Sequence, residues 1–154
     1  MPADPAISAR LWEIIRGERD GVLAVIGAGG MPHLSNVYYL VDPSSDTIRM
    51  STTTVRAKGR HLLRDPRAAL YVAGADFLKF AVADGPVSLA IAEQPGDAAI
   101  DELFEVHRRL GAATDRARFD EEMIANHRMV VRLHVERVYG LFIDRPPRSR
   151  SATP

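Results

Sequence analysis

The sequence contains no cysteine and carries no net charge, since its 20 basic residues are balanced by 20 acidic ones. Without cysteine the chain can form no disulfide, thiolate metal site or iron–sulfur cluster, and it has no cysteine nucleophile. Without net charge it has no overall field that would draw it to nucleic acid or to an anionic membrane. Any basic site must therefore be local, and we expect neither nucleic acid nor a membrane as a partner.

Long hydrophobic runs are missing as well. The longest apolar run, at 21–31, is too short to span a bilayer, and the first 20 residues contain no apolar core of a signal peptide. Together with the absence of cysteine, this predicts a protein of the cytoplasm, which is a reducing compartment.

Short segments of alternating or β-branched residues, separated by turn residues, are what the sequence does contain. The patterns predict strands at 21–26, 32–41, 47–52, 68–73, 79–92 and 128–140, and helices at 7–17, 55–64, 97–111 and 115–126. At least six strands with few helices between them favour a mainly β fold of the α+β class, an antiparallel barrel with peripheral helices, over a doubly wound parallel sheet. Residues 1–144 are expected to form this one domain, and the polar, proline-rich 145–154 is predicted to be a disordered tail.

Three motifs of well-known enzymes are absent or stand in the wrong context. The glycine-rich segment at 27–30 is followed by Pro32 and an extended segment, where a dinucleotide-binding loop requires a helix, so we interpret it as a hairpin turn. The five histidines show neither HxH nor HExxH spacing, and we predict no metal site. The nucleophile motif GxSxG is also missing. We therefore assign no catalytic residue from motifs.

The strand predicted at 32–41 is mostly apolar on both faces. Alternation places Ser35 and Val37 on one face and Leu34, Asn36 and Tyr38 on the other. This pattern is typical of a strand that is buried on one side in a barrel and on the other against a partner subunit. Ser35 and Asn36 then need hydrogen-bond partners, because an unpaired buried hydroxyl or amide costs about 1–3 kcal/mol. Those partners are either neighbouring backbone groups, which this segment alone favours, or the polar edge of a planar ligand.

Hydroxyl and basic residues are concentrated at 51–66, in the stretch STTTVRAKGRHLLRDP. The hydroxyls at 51–54 precede a helix, and the first N–H groups of a helix are unpaired donors that bind anions readily. Arg56 and Arg60 share one helix face and Lys58 is turned away, so the three can surround an anion only near the helix start or along a groove. A solvated basic helix balanced by acids elsewhere is the alternative. Hydroxyls, a helix start and a guanidinium together favour a phosphate site.

The ordered set PHLSNV (32–37), DP (42–43) and STTTVRAKGRHLLRDPRA (51–68) resembles the pyridoxamine 5′-phosphate oxidase-like, flavin-reductase-type split barrels. Within them the chain is most similar, over residues 12–144, to the actinobacterial branch that uses the deazaflavin coenzyme F420. The resemblance implies a homodimeric, six-stranded antiparallel split β-barrel with a cofactor in each of two grooves between the subunits. The cofactor would be coenzyme F420, with FMN as the alternative.

The resemblance also implies which positions contact the cofactor. The ring would be lined by Ser35, Asn36 and Val37, and the phosphate would be held by Ser51, Thr52, Thr53, Arg56 and Lys58. The anionic tail would be reached by Arg60, and further contacts would come from His33 and Ala57. The second subunit would add the hairpin at 77–80, where Phe77, Lys79 and Phe80 replace the tryptophan or tyrosine associated with close relatives. Such a hairpin can stack on a ring but offers no indole or phenol hydrogen bond.

The function implied is hydride transfer to an electron-poor small molecule, such as an enone, a quinone or a tetrapyrrole. The absence of a convincing acid–base pair agrees, because the cofactor carries the difficult chemistry and the protein supplies position and electrostatics. Lys79 and Tyr38 are candidates for polarising the acceptor or delivering a proton. The alternatives are an FMN-dependent oxidoreductase on the same scaffold and a protein that binds the cofactor without turnover.

Overall fold

Four helices and seven strands form within residues 4–112 and 115–144, the parts of the chain that the computed structural model describes. In chain order they are α1 (Pro5–Gly17), β1 (Asp20–Ile26), β2 (Pro32–Val41), β3 (Thr47–Thr53), α2 (Ala57–Arg64), β4 (Arg67–Ala73), β5 (Lys79–Ile91), α3 (Ala98–Arg109), α4 (Arg116–Ala125), β6 (Arg128–His134) and β7 (Arg137–Phe142). The predicted elements are present with shifts of a few residues at their ends, except that the last predicted strand is divided. The tail at 145–154 lies outside the described residues.

Six of the strands close into an antiparallel barrel. Neighbouring strands follow the order β4-β1-β2-β3-β6-β5, and the pairing of β4 with β5 closes the circle. The length of β5 makes closure possible, because its residues 80–86 pair with β4 and its residues 87–91 pair with β6. The predicted mainly β fold with a six-stranded antiparallel barrel is therefore confirmed.

The prediction of one last strand at 128–140 is wrong. The structure divides this segment into β6 and β7, which pair one after the other with the same edge of β5. Between them the backbone N–H of Val135 donates to Asp46 O at 2.9 Å, and that of Glu136 donates to Asp84 O at 3.0 Å. The alternation of apolar and polar residues is interrupted at this point by the consecutive polar residues Glu136 and Arg137, a local signal that the prediction of one strand overlooked.

Inward-facing side chains of the barrel strands form the main core. Ile48 and Met50 of β3 and Leu70 of β4 are almost completely buried there. Helix α1 packs against the same core through Ile15, and the buried Tyr39 of β2 donates its hydroxyl hydrogen to Ile15 O at 2.7 Å. Burial of these apolar side chains is the main driving force that fixes the barrel and the position of α1.

Helices α3 and α4 form a second, smaller core on the outer side of β6. Leu103 of α3 and Phe119 of α4 pack there with Val130 of β6. An ion pair between Glu102 of α3 and Arg132 of β6 adds a polar tie between the helix and the sheet. This anchoring brings the C-terminal end of α3 close to the turn between β3 and α2. None of the described helices is both long and apolar enough to cross a membrane.

Large apolar side chains are exposed on the outer face of the sheet formed by β2, β1, β4, β5 and β7. On β2, Leu34 is 63% and Tyr38 is 71% exposed, whereas the intervening Val37 is buried, which confirms the predicted alternation of faces. The strand pairing places Tyr71 of β4 and Tyr139 of β7 on the same outer face, and both are partly exposed. In the single chain this face is open.

Candidate functional site

A cleft of about 960 Å³ opens where strands β1, β2 and β4 meet the turn between β3 and α2 and the end of α3. The barrel order gives the cleft two sides. On the side of β3, α2 and β6 its lining includes Arg56, Lys58 and Arg128, and on the side of β2 and β4 it includes Tyr38 and Tyr71. The cleft therefore suits an elongated molecule that has an anionic group and a planar apolar part.

The turn between β3 and α2 is built by local contacts. Thr53 Oγ1 accepts a hydrogen bond from the backbone N–H of Arg56 at 3.2 Å, and α2 begins at the next residue, two residues later than the sequence predicts. Gly59 allows the first turn of the helix to lie against β3, because an added Cβ would stand 2.0 Å from Thr53 O. This close packing turns Lys58 inward, where it is only 9% exposed and where Nζ donates to Asn36 O at 3.0 Å. Lys58 thus connects the anion side of the cleft to β2.

The cleft brings together five of the residues that the sequence predicts at the site. They are Asn36, Val37, Ser51, Arg56 and Lys58. They come from β2, β3 and the start of α2, as the predicted strand-to-helix arrangement requires. The strand predicted to face the ring and the basic start of the helix therefore line the same cleft.

The other predicted residues of β2, β3 and α2 do not line the cleft. Ser35 and Thr52 have buried hydroxyl oxygens with no hydrogen-bond partner among the described residues. The ring of His33 lies edge-on to His61, with 5.2 Å between the centroids. Arg60 donates to Val55 O, outside the cleft lining. Thr53 contributes the turn contact described above, and Ala57 is the first helical residue of α2.

The predicted residues of the β4–β5 hairpin also lie outside the cleft of their own chain. Phe77 is 90% exposed, and Phe80 stacks on Tyr71 with 5.5 Å between the ring centroids. Lys79 Nζ lies 2.7 Å from Asp144 Oδ1, and this hydrogen-bonded ion pair raises the pKa of Lys79. A contribution of this hairpin to the groove of a second subunit remains a prediction.

Within residues 4–112 and 115–144, the cations of the cleft have no carboxylate partner. Among the described residues, Arg56, Lys58 and Arg128 form no ion pair. Burial lowers the pKa of Lys58, and repulsion from Arg56 and Arg128 lowers it further. The pKa of Arg128 is lowered by burial and then by Arg56. Partly buried charges of one sign without a partner are costly, so this side of the cleft is prepared for an anion.

Two residues of the cleft, His107 and Arg128, were not found from the sequence. Arg128 Nη1 donates to Ser51 Oγ at 3.4 Å, although the two residues are 77 positions apart. Burial lowers the pKa of His107, and the nearby Arg128 lowers it further. The sequence does show Arg128 and Arg132 on one face of a strand, but only the structure shows that Arg132 is paired with Glu102 and that Arg128 is not.

Within residues 4–112 and 115–144, no group of three or more His, Asp or Glu side chains is arranged to hold a metal ion. On the side of β3, α2 and β6 the polar groups of the cleft are instead mainly hydrogen-bond donors and cations, which are suited to phosphate or carboxylate oxygens, whereas the acids Glu18 and Asp20 also line the cleft.

The family is decided by a match that covers most of the chain. The family model of pyridoxamine 5′-phosphate oxidase matches residues 7–142. The chain belongs to the pyridoxamine 5′-phosphate oxidase family. This match confirms the predicted resemblance at the level of the family. The barrel with its cleft is therefore a flavin-binding oxidoreductase fold.

Several solved structures are similar to this chain in fold. A conserved hypothetical protein of Mycobacterium tuberculosis is 27% identical, with 88% of this chain and 82% of that chain covered and a TM-score of 0.62. A protein described as an F420 reductase is 17% identical, with 82% and 94% covered and a TM-score of 0.63. An FAD-binding protein of Mesorhizobium loti is 16% identical, with 88% and 90% covered and a TM-score of 0.59. At 17% and 16% sequence identity, the last two structures show only that the fold is shared.

Proposed function

We propose that this member of the pyridoxamine 5′-phosphate oxidase family binds coenzyme F420 in the cleft and transfers a hydride to an electron-poor small molecule of the enone, quinone or tetrapyrrole type. The observation that carries the proposal is a group of cations, Arg56, Lys58 and Arg128, that form no ion pair within the described part of the chain and lie in a cleft also lined by Tyr38 and Tyr71. A phosphate-bearing cofactor with a planar ring matches both sides of that cleft.

The polar atoms that lack partners support the fit of a phosphate group. Arg128 Nε and His107 Nε2 are buried without a hydrogen bond among the described residues, and both side chains line the cleft. A buried donor without an acceptor costs about 1–3 kcal/mol, and an anion with several oxygens can satisfy more than one donor. Arg56 and Lys58 of the turn between β3 and α2 would hold the phosphate, with Ser51 Oγ as a further hydrogen-bonding group.

The choice between F420 and FMN depends on how far the basic surface extends. The stretch from 56 to 67 contains five basic residues, but two of them have partners outside the cleft. Arg64 donates a hydrogen bond to Ile26 O, and Arg67 forms an ion pair with Asp65 at 2.8 Å. Of the basic residues at 56–67, Arg60 therefore remains, beside Arg56 and Lys58 of the cleft, as a candidate for contact with the anionic tail of F420. FMN is the second candidate, because the same cations suit a phosphate monoester.

The residues of the chain would bind and orient the reacting groups. Bound F420 supplies the hydride chemistry. Lys58 links the phosphate side to the backbone of Asn36, so one side chain would position both the anion and the strand beside the ring. Of the two predicted proton donors, Tyr38 is favoured, because it lines the cleft, whereas Lys79 is held by Asp144, which raises the pKa of the lysine. Tyr38 would polarise the acceptor or deliver a proton to it.

The second subunit is part of the proposal. A copy of the chain seated on the outer face would cover Leu34 and Tyr139, and it would bring its hairpin with Phe77 toward the cleft. Phe77 then has a partner surface that the single chain does not provide. The proposed enzyme is therefore a homodimer with two cofactor sites.

The decisive experiment is a cofactor titration followed by turnover. Protein made in a host that lacks the deazaflavin should purify nearly colourless, bind added F420 at micromolar or lower concentration, and bind FMN more weakly. Reduced F420 should then be oxidised by at least one acceptor from a panel of enones, quinones and tetrapyrroles. Stoichiometric FMN that F420 cannot displace would favour the FMN-dependent alternative. Tight binding of F420 without turnover of any acceptor would favour a cofactor-binding protein.

A further inference from the structure

Arg128 and His107 stand out because they enter the cleft from elements outside the turn between β3 and α2. Arg128 is the first residue of β6, and His107 lies in the last turn of α3. The Nε of Arg128 and the Nε2 of His107 are buried without a partner among the described residues. The only hydrogen bond that the described residues give to the Arg128 guanidinium is the one from Nη1 to Ser51 Oγ, at 3.4 Å.

The two arginines that share a face of β6 are treated differently by the fold. Arg132 is held by Glu102, and this contact raises the pKa of Arg132. Arg128 has no such carboxylate among the described residues, and burial together with Arg56 lowers its pKa. One arginine therefore fixes α3 to the sheet, while the other keeps its charge and most of its donors free.

The charges around the cleft leave an anion as the natural partner of this pair. The cations are Arg56, Lys58 and Arg128, and the acids that line the cleft are Glu18 and Asp20. Neither acid forms an ion pair with these cations among the described residues. His107 packs its ring edge-on against Phe119, with 5.3 Å between the centroids, so the helix core holds the imidazole in place beside Arg128.

We propose that Arg128 and His107 contact the anionic group of the cofactor directly, so that the site grips it from two sides. The turn between β3 and α2 supplies Arg56 and Lys58, and β6 with α3 supplies the second pair. This inference rests on the proposed function, in which the anion is the phosphate of a flavin-type cofactor. The pair determines specificity for a phosphorylated cofactor over the same ring without phosphate.

The test compares each cofactor with its dephosphorylated form, that is FMN with riboflavin, and F420 with the deazaflavin that lacks the phosphate and tail. For the wild-type protein the phosphorylated form should bind more tightly. In Arg128→Met this preference should shrink about tenfold or more, while the affinity for the dephosphorylated ring stays unchanged, because only the charged contact is lost. Arg128→Lys should keep part of the preference, and His107→Gln should reduce it less than Arg128→Met.

Stability of the ligand-free protein separates a binding role from a structural one. Arg128→Met removes a partly buried charge that has no carboxylate partner in the described parts of the chain, so its Tm should equal or exceed that of the wild type. Arg118→Met is the control for loss of an arginine outside the cleft, because the Arg118 side chain is 77% exposed on α4 and its exposed ion pair with Glu122 contributes little to stability. This control should change neither the preference for phosphate nor the Tm by more than the error.

The outcomes distinguish the inference from the proposed function. If the wild type prefers phosphorylated cofactor and Arg128→Met keeps that preference, the inference fails and the proposed function stands. If Arg128→Met weakens both ligand forms equally and lowers Tm, Arg128 is structural and the inference fails. If the wild type binds neither cofactor, the proposed function fails. The inference is then tested by measuring the Tm with inorganic pyrophosphate as the anion. A rise of Tm with pyrophosphate in the wild type but not in Arg128→Met supports it, and any other result overturns it.

Discussion

At the scale of single residues, the site depends on cations whose positions are fixed by short local contacts. Arg56→Ala and Lys58→Ala should each weaken binding of the phosphorylated cofactor by about ten- to a hundredfold, because a hydrogen bond to a charged group contributes about 1.5–3 kcal/mol. Arg64→Ala is the control from the same helix, since Arg64 donates to Ile26 O and lies outside the cleft. Fluorescence titration measures all three variants. Equal losses in the three would show that the phosphate site has been misplaced.

His107 also makes a residue-scale prediction about pH. Burial and then Arg128 lower its pKa below the ordinary value of 6.5, so the unfolded chain binds the proton more readily than the folded one. The free energy of unfolding should therefore fall as the pH drops below about 6.5, and His107→Gln should remove this part of the acid sensitivity. Urea unfolding of ligand-free protein at about pH 7.5 and pH 5.5 gives the comparison. Other titrating groups are common to both proteins and cancel, so equal acid sensitivity would contradict the assignment.

At the scale of elements, the start of α2 is held against β3 by the absence of a side chain at position 59. Gly59→Ala should destabilise the protein by about 1–3 kcal/mol, because the new Cβ would meet Thr53 O at 2.0 Å and backbone would have to move. The same displacement would shift Lys58, so cofactor binding should weaken too. Gly17→Ala at the end of α1 is the matched control, since an added Cβ there meets nothing within 4 Å. If chemical denaturation finds the same free energy of unfolding for Gly59→Ala and Gly17→Ala, then α2 can move away from β3 without destabilising the protein.

At the scale of the whole molecule, the open outer face predicts a homodimer. Light scattering should give about twice the chain mass of 16.9 kDa at micromolar concentration. Leu34→Asp places a charge on this face, where Leu34 is 63% exposed in the single chain, and should shift the mass toward that of the monomer. Cofactor affinity should fall with it, because the second subunit completes the groove in the proposed enzyme. A wild-type monomer that binds cofactor tightly would refute the proposed assembly.

The sequence by itself determined the features that depend on near neighbours. Period-two alternation in 32–41 is a property of an extended backbone, so it correctly assigned Leu34 and Tyr38 to one face of β2 and Val37 to the other. The hydroxyl-rich end of a strand followed by a basic helix is also local, and Arg56 and Lys58 do line the cleft. The family resemblance drew on the same short segments and was confirmed.

The tertiary structure alone decided what comes from distant parts of the chain. Arg128 reaches Ser51 because β3 pairs with β6, and no local signal in the sequence specifies that pairing or its register. Whether the two arginines of β6 are paired is equally non-local: Arg132 meets Glu102, which is 30 positions away, whereas Arg128 meets no carboxylate among the described residues. That β6 and β7 both pair with β5 is also a property of the whole barrel, since the sequence marks only the break between them, at the consecutive polar residues Glu136 and Arg137. Local periodicity fixes which way a side chain points from its own backbone, and only the packing of the whole barrel fixes what it meets there.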